Sequence, residues 1–84
     1  MKLSTRSRYG LRMMYSLAVN PGKTPLQLNE ISAREDLSEK YLGQIVIHLR
    51  AAGLVTSVRG AQGGYFLSRP PEEITVLEIV ECLE

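Results

Sequence analysis

Apolar positions recur at helical spacing through the first half of the chain and then give way to short β-prone runs. From near Thr5 to Val19, the residues Leu11, Met14, Tyr15 and Ala18 return at three- and four-residue steps, which predicts an amphipathic helix with those residues on its buried stripe. Asn20-Pro21-Gly22 stops that helix, and Thr24-Pro25-Leu26 reads as a short extended connector. A second, shorter helix runs from Leu28 to about Glu35 and buries Leu28 and Ile31, with Asp36 closing the turn. Ser38 is the predicted N-cap of a third helix, because its hydroxyl can accept a bond from an unpaired N–H of the first turn, and Glu39 suits the positive end of the helix dipole. Leu42, Ile45, Val46 and Leu49 form the inward stripe, and Gly53 ends the helix as a left-handed cap. Lys40, Gly43, Gln44 and Ile47 are left on the outer face.

Beyond that cap, Leu54 to Val58 and Tyr65 to Ser68 are two β-prone runs separated by Arg59-Gly60-Ala61-Gln62-Gly63-Gly64. The glycines allow the sharp reversal of a β-hairpin with a basic tip. Pro70-Pro71 breaks the chain again, and Thr75 with Glu78 makes a capping box for a final helix that buries Val76, Ile79, Val80 and Leu83. Glu78, Glu81 and Glu84 fall toward the negative end of that helix with no basic residue to close it, so the natural protein is expected to continue beyond Glu84. A short helix, a tight turn, a longer capped helix and a hairpin define the expected class: mainly α with a small β-hairpin, a winged helix-turn-helix.

At 84 residues the chain is expected to be one domain, 1–84, with every apolar helix face needed for its core. Its net charge of +1 conceals a segregation. All ten Lys and Arg lie in residues 1–69 against four acids, giving 10 − 4 = +6, while residues 70–84 carry five glutamates and no base. That asymmetry points to a basic surface for a polyanion, with two solvated faces and no partner as the plain alternative. The basic, polar start lacks the apolar run of a signal peptide, and no stretch approaches the roughly 20 apolar residues that span a bilayer. No membrane partner is expected, and Cys82, alone and unable to form an internal disulfide, agrees with a cytoplasmic setting. His48 has no ligand at metal spacing, the glycine-rich loop lacks the lysine and hydroxyl residue of a phosphate loop, and no constellation suits catalysis. The chain is not expected to be an enzyme.

The opening Met1-Lys2-Leu3-Ser4-Thr5-Arg6-Ser7-Arg8-Tyr9-Gly10-Leu11-Arg12, the stretch from Leu37 to Gln44, the wing from Leu54 to Tyr65, and Arg69-Pro70-Pro71-Glu72-Glu73-Ile74-Thr75 together resemble the Rrf-type family of bacterial winged-helix transcriptional regulators, of the IscR/NsrR-like kind. The resemblance runs in order over essentially the whole chain. It implies a sequence-specific DNA-binding regulator, expected to be a repressor, that acts as a homodimer on double-stranded DNA with a partly palindromic operator. It also implies a recognition helix, about 38–52, in the major groove and a wing, about 54–68, at the minor groove. Many members hold an iron-sulfur cluster on three cysteines that lie C-terminal to this region, beside a long dimerisation helix. The expectation is therefore no cofactor in this chain and an iron-sulfur cluster only in a longer natural form. Members that discriminate between operator classes often have glutamate where this chain has Gly43, so base specificity does not carry over at that position.

Within this frame Gln44 is the expected base reader, because a carboxamide can pair with adenine N6 and N7. Lys40, on the same face, is placed for guanine or a phosphate, and Ser38 and Tyr41 for the DNA backbone. Arg59 is expected in a narrow minor groove, where the negative potential is strongest, with Gly60 and Gln62 beside it. Arg6, Arg8, Tyr9, Arg12 and Arg50 are expected near phosphates. For each of these the alternative is an ordinary solvated side chain. Ile47 is the discordant apolar residue of the outer face, either a methyl-reading contact or a partly buried side chain. A different class of function, a winged-helix module for protein contact, stays open, because one fold serves both purposes.

Overall fold

The computed structural model describes residues 2–20 and 24–84. Pro21 and Gly22, part of the expected stop after the first helix, lie outside the described residues. The element order is α1 (Thr5–Ala18), α2 (Leu28–Glu35), α3 (Glu39–Ala51), β1 (Val55–Val58), β2 (Gly64–Leu67), a single 3-10 turn at Pro71–Glu73, and α4 (Val76–Leu83). Four helices with one antiparallel hairpin are the expected winged helix-turn-helix.

Local chemistry accounts for the helix boundaries. The Ser4 hydroxyl accepts from the Ser7 amide at 3.1 Å and caps α1, and the Ser38 hydroxyl accepts from the Tyr41 amide at 3.2 Å and caps α3. The α2 helix ends on Asp36, whose φ of 54° is a left-handed cap that lets the chain turn sharply into α3. In α4 the Thr75 hydroxyl accepts from the Glu78 amide at 3.0 Å while the Glu78 carboxylate accepts from the Thr75 amide at 2.9 Å. Each bond satisfies a terminal N–H that has no partner within its helix.

Met13, Ile31, Leu42 and Leu49 are fully buried and bring α1, α2 and α3 into one core, which Ile79 and Leu83 of α4 complete. The buried face of α1 is not the expected stripe. Ser7, Gly10, Met13, Met14, Ser16 and Leu17 face inward, whereas Tyr15 is 62% exposed, Ala18 is exposed and Leu11 is half-buried. The reason is close packing. At Gly10 an added Cβ would stand 2.1 Å from Leu83 Cδ1, so the smallest residue lets α4 lie directly against α1. Ser7 and Ser16 enter the interior because glutamates accept their hydroxyl protons, Glu84 for Ser7 and Glu35, at 2.5 Å, for Ser16.

Two smaller departures lie at the starts of helices. Leu28 is half-buried at the start of α2. Val76 is 62% exposed at the first position of α4, and the apolar side of the helix reaches the core only from Ile79. Glu78 lies in the first turn of α4, at the positive end of the dipole, and also pairs with Arg69 at 2.8 Å. The far end of α4 is closed from outside: Arg6 donates to the Leu83 carbonyl at 3.3 Å. Sequence reading had found no base for that end because the base comes from the other end of the chain.

Candidate nucleic-acid interface

The hairpin is anchored to the helix-turn-helix unit by backbone. β1 and β2 pair antiparallel from Val55–Leu67 to Val58–Gly64. The connector before α2 adds a third, minimal strand, with Leu26 donating to the Tyr65 carbonyl at 2.9 Å and Tyr65 donating to the Leu26 carbonyl at 2.8 Å. This approach is so close that a Cβ on Gly64 would stand 2.5 Å from the Leu26 carbonyl oxygen, and Gly64 itself has φ 147°. Only glycine fits there. Gln27, the residue before α2, also donates from its side-chain amide to the Ala61 carbonyl in the hairpin tip at 3.3 Å. The wing therefore has a defined position relative to α2, and α2 packs on α3.

The outer face of α3 carries Lys40, Gln44, Ile47 and Ala51 in one exposed line at helical spacing, with His48 to one side. Arg50 lies on the wing side of that line. Together with Ile47, Ala51, Val55, Thr56 and Ser57 it lines one shallow groove, and with Gln27, Ser57, Arg59, Gly60 and Tyr65 a second. Arg59, Gly60 and Gln62 are exposed at the hairpin tip. The structure thus brings Lys40, Gln44, Arg50, Arg59, Gly60 and Gln62 onto the surface made by α3 and the wing. Among the described residues the ion pairs are Arg12–Glu35 at 3.4 Å and Arg69–Glu78 at 2.8 Å. They leave Lys40, Arg50 and Arg59 with no carboxylate partner.

Other expected contact residues have work within the fold. Tyr9 and Tyr41 are half-buried and meet edge to face, with ring centroids 5.3 Å apart and planes at 72°. The Arg12 guanidinium lies 6.0 Å from the Tyr9 ring centre and is held by the Glu35 carboxylate and carbonyl. Arg6 caps α4, Arg8 donates to the Thr5 hydroxyl at 3.2 Å and stays exposed, and Ser38 caps α3. Gln27 and Leu26, which position the wing, were missed in the sequence. The glycine pair at 63–64 was the one available sign that backbone comes close there.

The Rrf2 family model, described as an iron-dependent transcriptional regulator, matches residues 3–84. The chain belongs to the Rrf2 family. It is 50% identical over 84 residues to the HTH-type transcriptional regulator CymR of Bacillus subtilis, covering 100% of this chain and 61% of that protein. With the HTH-type transcriptional regulator IscR of Cereibacter sphaeroides it shares 48% identity over 86 residues, covering 100% of this chain and 56% of that protein. The solved structure of CymR, the global cysteine regulator of B. subtilis, superposes with a TM-score of 0.96 at 49% identity, over 100% of this chain and 65% of that one. IscR of T. potens gives a TM-score of 0.92 at 50% identity, over 100% and 61%. The chain thus spans 56–61% of the length of these two curated relatives. They are regulators and not enzymes, as the sequence reading expected.

The family description names iron, and the described residues of this chain do not fit an iron or iron-sulfur site. Among the described residues no three His, Cys, Asp or Glu side chains lie together as ligands. Cys82 is half-buried and donates its thiol to the Ile79 carbonyl at 3.3 Å, and burial raises its pKa, away from the thiolate that binds metal. No helix among the described residues is long and apolar enough to cross a membrane.

Proposed function

We propose that residues 1–84 are the DNA-reading domain of a sequence-specific transcriptional repressor that works in the bacterial cytoplasm. The observation that carries this is the single surface on which Lys40, Arg50 and Arg59, without carboxylate partners, flank Gln44. In this reading α3 enters the major groove and Gln44 pairs with an adenine edge, while Lys40 meets guanine or phosphate. Arg50 meets a phosphate between helix and wing, and Arg59, with Gly60 and Gln62, follows the minor groove. Arg8 and the hydroxyls of Ser38, Tyr9 and Tyr41 approach the flanking backbone.

The operator is partly palindromic and is read by a homodimer in a longer protein. Two such helices must be held roughly 34–36 Å apart to enter successive major grooves, and an iron-sulfur cluster, where the longer form has one, takes its ligands from outside residues 1–84. The test is titration of duplex DNA at several salt concentrations. Four to six engaged cations give a slope of log affinity against log salt of about −4 to −5, since each neutralised phosphate contributes about −0.9. Binding with a flat salt response would refute the proposal. Titration with one-half-site and two-half-site operators tests the dimer part separately: a pair of joined sites should gain roughly 10²–10⁴-fold once two copies are linked.

A further inference from the structure

Ile47 is 63% exposed in the middle of the outer line of α3. It contributes nothing to the core, which takes Leu42, Ile45, Val46 and Leu49 from this helix. A β-branched residue is also a poorer helix former than the leucine, lysine or glutamine that would serve on a solvated face. Neither local propensity nor packing accounts for isoleucine here, and its neighbours along the line are Lys40, Gln44 and Ala51. A protein-docking patch would join several apolar side chains into a continuous area. Ile47 instead stands with only the small Ala51 as an exposed apolar neighbour, beside a groove that Arg50, Thr56, Ser57 and the buried Val55 also line.

We propose that Ile47 is a specificity-determining residue that reads a thymine by packing on its C5-methyl group in the major groove. The inference rests on the DNA-binding reading above. The thymine methyl is the apolar feature of an otherwise polar groove edge, and small aliphatic contacts discriminate it from the other bases. Three residues of helix advance about 4.5 Å from Gln44 to Ile47, close to the roughly 3.4 Å between stacked base pairs. The thymine therefore lies within one or two steps of the adenine that Gln44 reads, and the two residues together specify a short A·T element. Burying one methyl group corresponds to about a fourfold change in affinity.

The experiment replaces thymines with uracil one at a time in a site selected from random duplexes by this chain, which removes the methyl and keeps every base-pairing edge. Wild type should lose about fourfold at one or two positions of the half-site and nothing elsewhere. In Ile47→Ala those same positions should show no thymine–uracil difference, with the salt slope unchanged, while Ile47→Val should keep the difference. The proposal is overturned if no position distinguishes thymine from uracil, or if the difference survives in Ile47→Ala, although salt-dependent binding is intact. Absence of any salt-dependent binding overturns the DNA reading itself, which is a different result.

Discussion

The α3–wing surface and the corner where α4 meets the start of α1 use charge in opposite ways. At the corner Glu84, Arg6, Arg69 and Glu78 each have a partner within the chain. Glu84 accepts from the Ser4 hydroxyl at 2.6 Å and from Ser7, Arg6 donates to the Leu83 carbonyl, and Arg69 pairs with Glu78. On the α3–wing surface the cations have no carboxylate partner among the described residues, and Gln44 stands exposed between them. Charge that is neutralised internally fixes one helix on another; charge left unneutralised on an ordered surface is available to a polyanion. Counting bases over the sequence does not separate these two roles, because Arg6, Arg12 and Arg69 belong to the first and Lys40, Arg50 and Arg59 to the second.

The sharpest way to break this comparison is to remove the unpaired set. Lys40→Ala, Arg50→Ala and Arg59→Ala combined should weaken duplex binding on the order of 10³-fold, taking about 1.4 kcal/mol for each charge-assisted contact. The salt slope should become less negative by about 3, while thermal stability stays within about 0.5 kcal/mol per exposed substitution. A matched triple variant of Arg6, Arg12 and Arg69 should reverse the pattern, costing stability more than salt dependence. Equal losses of affinity and slope in both variants would show that the paired and unpaired bases do not differ.

Gly64→Ala acts on the backbone that positions the α3–wing surface. The added methyl meets the Leu26 carbonyl and requires an L-residue at φ 147°, a strain of about 1–3 kcal/mol. The wing should shift relative to α3, so Arg59-dependent affinity for A·T-flanked sites should fall together with stability. Amide exchange at Leu26 and Tyr65 should quicken in parallel; unchanged exchange with lost binding would mean that the pairing does not position the wing.

Gly10→Ala acts on the corner alone. The methyl collides with the end of the Leu83 side chain, and overpacking of this kind costs about 1–3 kcal/mol. Urea midpoints should fall, while affinity corrected for the folded fraction and the salt slope should not change. A variant that loses DNA affinity beyond its unfolded fraction would link the corner to the interface.

These glycines also mark where the sequence was legible. Caps formed between residues three apart, such as Ser38 with Tyr41 and Thr75 with Glu78, could be read because both partners lie in one short window. The outer face of α3 was legible for the same reason, its inner stripe being continuous and apolar. The inner face of α1 was not. Its buried positions include a glycine and two serines whose partners, Leu83, Glu84 and Glu35, are between 19 and 77 residues away for the serines and at the chain's other end for the glycine. Periodicity weighs apolarity, and here size and a remote acceptor decided burial. The bridge from Leu26 to Tyr65 was hidden likewise, since a single pair of backbone bonds leaves no alternating pattern.

The smallest expected effect concerns pH, and it again separates the corner from the interface. The hydroxyls of Ser4 and Ser7, the Ser4 amide and the Arg6 charge hold the Glu84 carboxyl below the ordinary glutamate range, and the Thr75 amide with Arg69 does the same for Glu78. A carboxyl whose folded pKa is lowered binds its proton more readily in the unfolded chain, where the value is about 4.3. Its stabilisation is thus complete above that value and is lost as pH falls through it toward the lower folded value. Glu84 is exposed and Glu78 only half-buried, so screening keeps the effect small. Glu84→Gln removes one of the two titrations but keeps an acceptor for the serine hydroxyls. Urea midpoints measured from about pH 6 down to about pH 3 should fall less steeply for Glu84→Gln than for wild type, with the curves closest at the acid end. Duplex affinity near neutral pH should be the same for both, because the interface holds neither group. Parallel curves would show that Glu84 is not held by the start of α1, and the account of how α4 is closed would then fail.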